Sequence, residues 1–382
     1  MKKCLFVTTV PSHLGYFLLP HAKALKDKGW RVDAMSSGLS EDFEIFDRIW
    51  DVPFERSRKI VFKYHIIKKQ LLDIIGKEKY DLLHLHTPIS SFIVRLAVRK
   101  LKYINDFKII YTAHGFHFHP LRNPFSNLFY FTLEKIVARW TDIIITINEE
   151  DYEYALKKRL KDYHKIKRIP GIGIDLQRFK IDSFVMPNHE EKHLSKSPKI
   201  AISVAEFIPR KRHKDLIKAA KELSGSDIDL LFLLVGDGRL KVRLEKLASR
   251  KRLENVIFLG KRTDVPELLV NCDYFIHPAI QEGLPMAVME AMAMEKPVIG
   301  ANVRGTRELL EGGCGILVEP KRPDKIAEAI RWLMNNPEEA EQMGKRARRK
   351  IEEKYALEKV LPIYVDIVEE LFADKKFKEK TL

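Results

Sequence analysis

No run of apolar residues in this chain reaches the roughly 18–20 that a bilayer-spanning helix needs. The most apolar stretch near the start, 4–10, is bracketed by Lys3 and Pro11 and gives way to amphipathic sequence. It therefore reads as a first β-strand rather than a signal peptide. Cysteine is scarce: Cys4, Cys272 and Cys314 are odd in number and far apart. That set argues against a disulfide framework and a zinc-binding spacing, and sets the expectation of a reducing, cytoplasmic compartment. A Gly-x-Gly-x-x-Gly dinucleotide fingerprint is missing from residues 1–60, and no internal repeat is evident. Acidic residues are outnumbered, 53 against 68 Lys and Arg, for a net charge of +15. The surplus is uneven, because residues 1–180 carry 32 basic and 20 acidic side chains, a net of +12. Three anionic partners suit such a half: nucleic acid, an acidic membrane surface or a phosphorylated acceptor. A solvated basic face explains it equally well.

What the chain does have is a repeated alternation of short apolar runs with helical patterns. In 382 residues, 45% of them hydrophobic, two domains are the natural count. In the first half, strands are expected at 4–10, 31–35, 82–86, 108–112 and 143–147. Helices are expected at 17–28, 64–75, 89–100, 125–140 and 151–158. The second half restarts with strands at 200–205, 230–235, 256–259, 274–277 and 298–300. Its helices are expected at 214–223, 240–249, 265–270, 285–294, 304–311, 323–335 and 338–355. Near-continuous apolar strands separated by helices predict parallel sheets covered on both faces. The expected fold class is α/β, with two Rossmann-like open parallel-sheet domains. The first spans 1–182 and the second 199–360, with a Pro-, Ser- and charge-rich linker at 183–198. An apolar helix within 361–382 is expected to pack back on the first domain, and the charged end at 374–380 to fray. Two such domains would bind ligand in a cleft between facing strand ends.

The most specific segment runs from His277 to Gly300 and contains Glu282-Gly283-Leu284-Pro285-Met286. A strand ends in a loop, and a proline suited to a first helical turn follows. The amides of Gly283, Leu284 and Met286 then lie at a helix start, where unpaired N–H groups and the dipole favour an anion. Glu282 precedes the helix and Glu290 lies inside it, so both carboxylates reach one elongated ligand. Carboxylates accept paired hydroxyl hydrogen bonds well, which suits sugar and ribose. The plainer reading is an ordinary helix with a Met/Ala face and two surface glutamates.

Embedded in EGLPMAVMEAMAMEKPVI, the Glu282-x7-Glu290 pair resembles the retaining glycosyltransferases of family 4, which have the GT-B fold. Further matching stretches occur in order: 84–88, 112–116, 169–175, 235–238, 258–266 and 312–318. The resemblance covers nearly the whole chain and is strongest to bacterial enzymes building capsular, exopolysaccharide or lipid-linked glycans. It implies that Glu282 contacts the donor sugar, Glu290 the donor ribose, and the amides after Glu282 the pyrophosphate. Lys211 matches the family lysine that neutralises the pyrophosphate. The family arginine is absent, since Glu206 stands in its place, and Arg210 is the candidate second cation. Arg262 and Gly236 fall in stretches expected near the nucleotide, and Gly15 in the first strand-to-helix loop, where a small residue admits close backbone approach. His114, at a strand's carboxyl end, is expected to orient the donor sugar, and His86 to line the acceptor side.

The spacing His114-x2-His117-x-His119 has a metal-like look, but Phe116 and Phe118 interleave it and the family is metal-independent. No metal or cofactor is expected. The implied reaction moves a sugar, with retention, from a nucleotide-diphosphate donor, UDP by family frequency. The implied acceptor is a glycan or a polyprenyl-phosphate-linked species. Cations beside a leaving diphosphate fit the chemistry, since they stabilise charge that grows as the glycosidic bond breaks. Aromatic and basic side chains in 64–75 and 125–140 suggest docking on an anionic membrane surface, against the plainer reading of helices packed on their own sheet. Two rival readings stay open: a non-hydrolysing nucleotide-sugar 2-epimerase, and a basic nucleic-acid-binding protein. The second lacks any nucleic-acid motif or stacking platform, so nucleic acid is not an expected partner.

Overall fold

The computed structural model describes residues 1–38, 43–55, 60–118, 123–180, 198–225 and 228–378. These form two compact units: Met1–Gly173 together with Leu357–Leu382, and Ile174–Ala356. The expected linker, 183–198, lies outside the described residues apart from Pro198.

In the first unit the strands are β1 (Lys3–Val7), β2 (Arg31–Ser36), β3 (Ile49–Asp51), β4 (Leu82–Leu85), β5 (Lys108–Ala113), β6 (Ile143–Thr146) and β7 (Ile166–Arg168). Their order is β3-β2-β1-β4-β5-β6-β7, and every pairing is parallel. Central strands are mostly apolar because helices cover both faces, with the buried His84 and Thr112 paired at 2.8 Å. Leu83, Leu85, Ile109 and Tyr111 pack with Ile67 and Leu71 of helix Ile60–Glu78 and with Val94 and Val98 of helix Pro88–Val98. Elsewhere in the unit, helix Leu357–Lys378 packs on helix Leu19–Asp27. Tyr364 meets the ring of His21 edge-on at 4.9 Å, and its hydroxyl lies 3.0 Å from His84 Nδ1.

The second unit holds β8 (Lys199–Val204), β9 (Leu230–Val235), β10 (Val256–Gly260), β11 (Tyr274–His277), β12 (Val298–Ala301) and β13 (Ile316–Val318). The order is β10-β9-β8-β11-β12-β13, again parallel. Its core joins Phe232, Leu234 and Ile276 to Leu216 and Ala220 of helix His213–Leu223 and to Ile326 and Ile330 of helix Pro323–Asn335. In each sheet the strand order reverses beside the first strand, between β1 and β4 and between β8 and β11. Open α/β sheets bind ligands at the carboxyl ends of strands flanking such a reversal.

Several boundaries differ from expectation. Helical backbone begins at Pro11, not 17, because proline supplies a preset first turn. Gly15 therefore sits not in a loop but in a π-helical turn, Leu14–Leu18, inserted in a helical run that continues to Asp27. The expected helix over 338–355 is Pro337–Lys350 followed by a second π turn, Ile351–Tyr355. The last helix runs to Lys378, through much of the stretch expected to fray. The edge strands β3, β7 and β13 have three residues each, too short for a periodic signal.

Candidate functional site

The two strands flanking the reversal in the second unit feed the two loops that carry its charged groups. After β8 the chain passes through a 3₁₀ turn, Pro209–Lys211. After β11 it reaches helix Met286–Ala293, whose N-cap is Pro285 and whose end has no side-chain cap. Val288 N–H already donates to the Pro285 carbonyl at 3.1 Å, which leaves the amides ahead of it for another acceptor. A backbone bond from Ile280 N–H to the Arg210 carbonyl, 2.9 Å, staples the loops together.

Glu282 sits where they meet and is only 8% exposed, which overturns the plainer reading of a surface glutamate. Lys211 Nζ donates to its Oε1 at 2.6 Å, and Arg210 Nη1 lies 3.3 Å from each carboxylate oxygen. His277 Nε2 is 3.3 Å from Oε1. Burial pushes the Glu282 carboxyl up, but the charge of Lys211, the His277 hydrogen bond and the charge of Arg210 outweigh it. The group is held well below the usual carboxylate range. Burial also lowers His277, although the Glu282 hydrogen bond works against that shift. A neutral His277 donating to an ionised Glu282 satisfies both. Arg212, in left-handed conformation at φ 59°, turns instead to Asp215 through two hydrogen bonds.

Glu290 differs from its partner in the motif. It lies on the second turn of the helix and keeps part of its surface open. Its carboxyl is desolvated all the same, and burial raises it to about 7 against a lowering by Arg178. One glutamate is an ion-paired carboxylate and the other a carboxyl poised near neutrality.

The sequence reading missed the supports of this loop. Arg304 Nε donates to the Glu282 carbonyl at 2.6 Å. Gly305 lies so close that a Cβ there would stand 1.8 Å from the Gly283 carbonyl oxygen. Both belong to the start of helix Arg304–Leu310, which follows β12. A glycine one residue into a helix was the available signal. Gly236, expected near the nucleotide, has φ 140°, and a Cβ there would meet the Ala205 carbonyl oxygen at 2.1 Å. Packing against the loop after β8 alone requires glycine there. Arg262 is exposed and forks onto Asp264, with Nε at 2.8 Å from Oδ1.

In the first unit three histidines converge from three segments. His86 follows β4, His114 follows β5, and His13 comes from the helical run after β1. His86 Nδ1 and His114 Nε2 are 3.2 Å apart, and the His13 and His114 rings meet edge-on at 4.4 Å. One ring nitrogen from each of the three lies within 4.8 Å of the others. Burial, with the neighbouring imidazoles, pushes His86 and His114 well below the ordinary histidine range. His86 is 1% exposed and stacks on Phe6, so most of its ring faces protein. His84 is also buried, between Thr112 and Tyr364. Of the spacing noted in sequence, His117 meets Tyr130 edge-on at 5.3 Å, outside this cluster, and His119 lies outside the described residues.

The second unit thus offers an uncapped helix start beside two cations and a buried carboxylate, a set suited to an anionic group with hydroxyls attached. Residues 185–350 match the family described as glycosyl transferases group 1, and residues 4–148 the one described as glycosyl transferase 4-like. A Bacillus subtilis protein named as a glycosyltransferase, EpsD, is 32% identical over 391 residues, covering all of both chains. The Escherichia coli UDP-Gal:α-D-GlcNAc-diphosphoundecaprenol α-1,3-galactosyltransferase is 29% identical over 312 residues, 78% of each chain. Among solved structures, sucrose-phosphate synthase from Thermosynechococcus elongatus superposes with a TM-score of 0.80 at 19% identity, over 98% of this chain and 100% of that one. The chain belongs to glycosyltransferase family 4 and is a glycosyltransferase of the GT-B fold.

Proposed function

We propose that the enzyme transfers a hexosyl group from a UDP-sugar to a glycan or polyprenyl-diphosphate-linked acceptor in cell-surface polysaccharide synthesis, with retention and without a metal ion. The observation that carries this reading is the Glu282 carboxylate held by Lys211, Arg210 and His277 beside the open start of helix Met286–Ala293. The names of the E. coli relative's donor and acceptor support the substrate classes. Lys211 and Arg210 neutralise the pyrophosphate, aided by the amides of Gly283, Leu284 and Met286. Glu282 and His114 hydrogen-bond the reacting sugar, and Glu290 the ribose. Arg262 and Gly236 belong to the nucleoside side of the donor. Gly15 marks the helical turn where backbone comes near the sugar. As the anomeric C–O bond breaks, its electron pair leaves on the β-phosphate oxygen. The acceptor oxygen bonds to the same face of the anomeric carbon, and its proton passes to that phosphate oxygen.

We further assign the protein to the inner face of the cell membrane as a peripheral enzyme. No helix among the described residues is long and apolar enough to cross a bilayer. The first unit does expose Phe62 (86%) and Ile66 on helix Ile60–Glu78, and Phe125 (84%), Leu128 and Phe129 on helix Pro124–Ala138. Lys69 and Lys135 lie exposed on the same helices. Aromatic and basic side chains in company suit an anionic headgroup layer. Co-sedimentation with anionic vesicles, lost in high salt and in a Phe62→Ser/Phe125→Ser variant, is expected; indifference to lipid would remove the assignment.

The test of the main reading is an assay with labelled UDP-sugars and a diphosphopolyprenyl-glycan acceptor, the product's anomeric configuration being read by NMR. UDP release that depends on acceptor, persists with a chelator and gives a retained anomer is the expected result. Epimer formation without acceptor would transfer the chain to the 2-epimerase class instead.

A further inference from the structure

From the convergence of His13, His86 and His114 we infer a binding site for a divalent transition-metal ion, zinc or cobalt, that regulates the enzyme by occupying His114. Three imidazoles brought from separate segments, one nitrogen of each within 4.8 Å of the others, make a three-histidine ligand set. A zinc ion bonds imidazole nitrogen at about 2.0–2.1 Å, so tetrahedral ligands stand roughly 3.3 Å apart. His86 and His114 already hold nitrogens 3.2 Å apart. The remaining distances close by rotations of the His13 and His114 rings, both of which keep part of their surface exposed.

His86 offers the ion its Nδ1, the nitrogen that faces His114 Nε2. An imidazole binds a metal ion in its neutral form, with a lone pair on the ligating nitrogen. No Asp or Glu belongs to the cluster, so a bound ion keeps its full charge. Its fourth position is left for water or a ligand oxygen, as in sites with three protein ligands. This is distinct from a metal needed for transfer. The same imidazole of His114 cannot bind the ion and hydrogen-bond a sugar, so the ion acts as an inhibitor. The metal site stands on the three-histidine geometry alone; only the inhibition rests on the role proposed above for His114.

Calorimetric titration of the full-length protein with zinc and the visible spectrum of a cobalt titration test the site, and the transferase rate at saturating zinc, expected to fall, tests the inhibition. One ion per chain with a tetrahedral cobalt spectrum is expected. His13→Gln and His114→Gln should each weaken binding at least about 30-fold while keeping the wild-type melting temperature of the metal-free protein. His117→Gln, outside the cluster, should bind as wild type does. Wild-type affinity in His13→Gln, or a cobalt spectrum that is octahedral and aqueous throughout, overturns the site. If zinc binds with this pattern but leaves the transferase rate unchanged, the site stands, and both the inhibition and the assignment of His114 to the donor sugar fall.

Discussion

Lys211 Nζ stands 2.6 Å from Glu282 Oε1, and the two side chains are only 14% and 8% exposed. A carboxylate this deep persists only because its charge is matched. Arg210 adds a second cation and His277 stays neutral, so the site carries net positive charge toward an incoming diphosphate. Lys211→Met removes a cation from both jobs. Its kcat/KM is expected to fall about 10²–10³-fold, the scale of losing one stabiliser of a developing anion. Stability should drop by about 3 kcal/mol, because a buried charge loses a partner. Lys211→Arg should recover most of the stability. Steady-state kinetics and denaturant midpoints check both effects, and a wild-type rate in Lys211→Met would remove Lys211 from the pyrophosphate.

Glu282 also predicts how stability responds to acid. Its folded carboxyl lies below the unfolded value of about 4.3. The stabilisation is therefore full above that value and is lost as pH falls through the folded one. The stability gap between wild type and Glu282→Gln should stay level from about pH 8 to 5 and narrow below about pH 4. Urea midpoints across that range measure it, and a gap that widens on acidification would contradict the ion-paired assignment.

Glu290 behaves in the opposite sense. Its folded carboxyl is raised from 4.5 to about 7, so as pH rises the unfolded chain gives up its proton first. Stability falls between those values, and the whole cost stands above pH about 7. Glutamine does not titrate. Glu290→Gln should therefore stabilise the nucleotide-free protein at pH 8 by at most about 3 kcal/mol, with little effect at pH 4.5. Loss of a charged acceptor for ribose hydroxyls should weaken UDP binding about 10–100-fold. A variant both more stable and weaker in binding separates function from folding; parallel losses in both would not fit.

Much of this was legible in sequence because parallel strands buried on both faces are written as apolar runs, and Leu230–Val235 or Ile143–Thr146 read as little else. The EGLP loop was legible too, since strand end, glycine, proline and helix follow within a dozen residues. What stayed hidden was contact across sequence distance. Nothing local ties His13 to His86 and His114, and the visible spacing pointed to His117 instead. Arg304 supports Glu282 from 22 residues away through a carbonyl, which carries no side-chain signature. Gly15 looked like a loop residue because it comes soon after a strand and Pro11, and the π turn that holds it interrupts the 3.6-residue apolar spacing.

Gly305 gives the sharpest separation between support and chemistry. A Cβ there would lie 1.8 Å from the Gly283 carbonyl oxygen, 2.6 Å from its carbon and 3.0 Å from Leu284 Cα. All three are backbone atoms of the loop carrying Glu282, so no rotamer change relieves the clash. Gly305→Ala must push that loop off the helix, taking with it the amides of Gly283 and Leu284 and the Arg304 bond to the Glu282 carbonyl. The stability cost should be about 1–3 kcal/mol, the range for forcing extra volume into packed structure. UDP affinity should fall at least about 10-fold, since displacements near an angstrom are enough to lose oriented contacts. Gly76 supplies the control. It too is helical, but a Cβ there meets nothing within 4 Å, so Gly76→Ala should gain roughly 0.5–1 kcal/mol and leave binding alone. Calorimetry with UDP and chemical denaturation of the two variants measure the contrast. Equal affinities would mean that the segment Gly283–Pro285 does not hold the diphosphate.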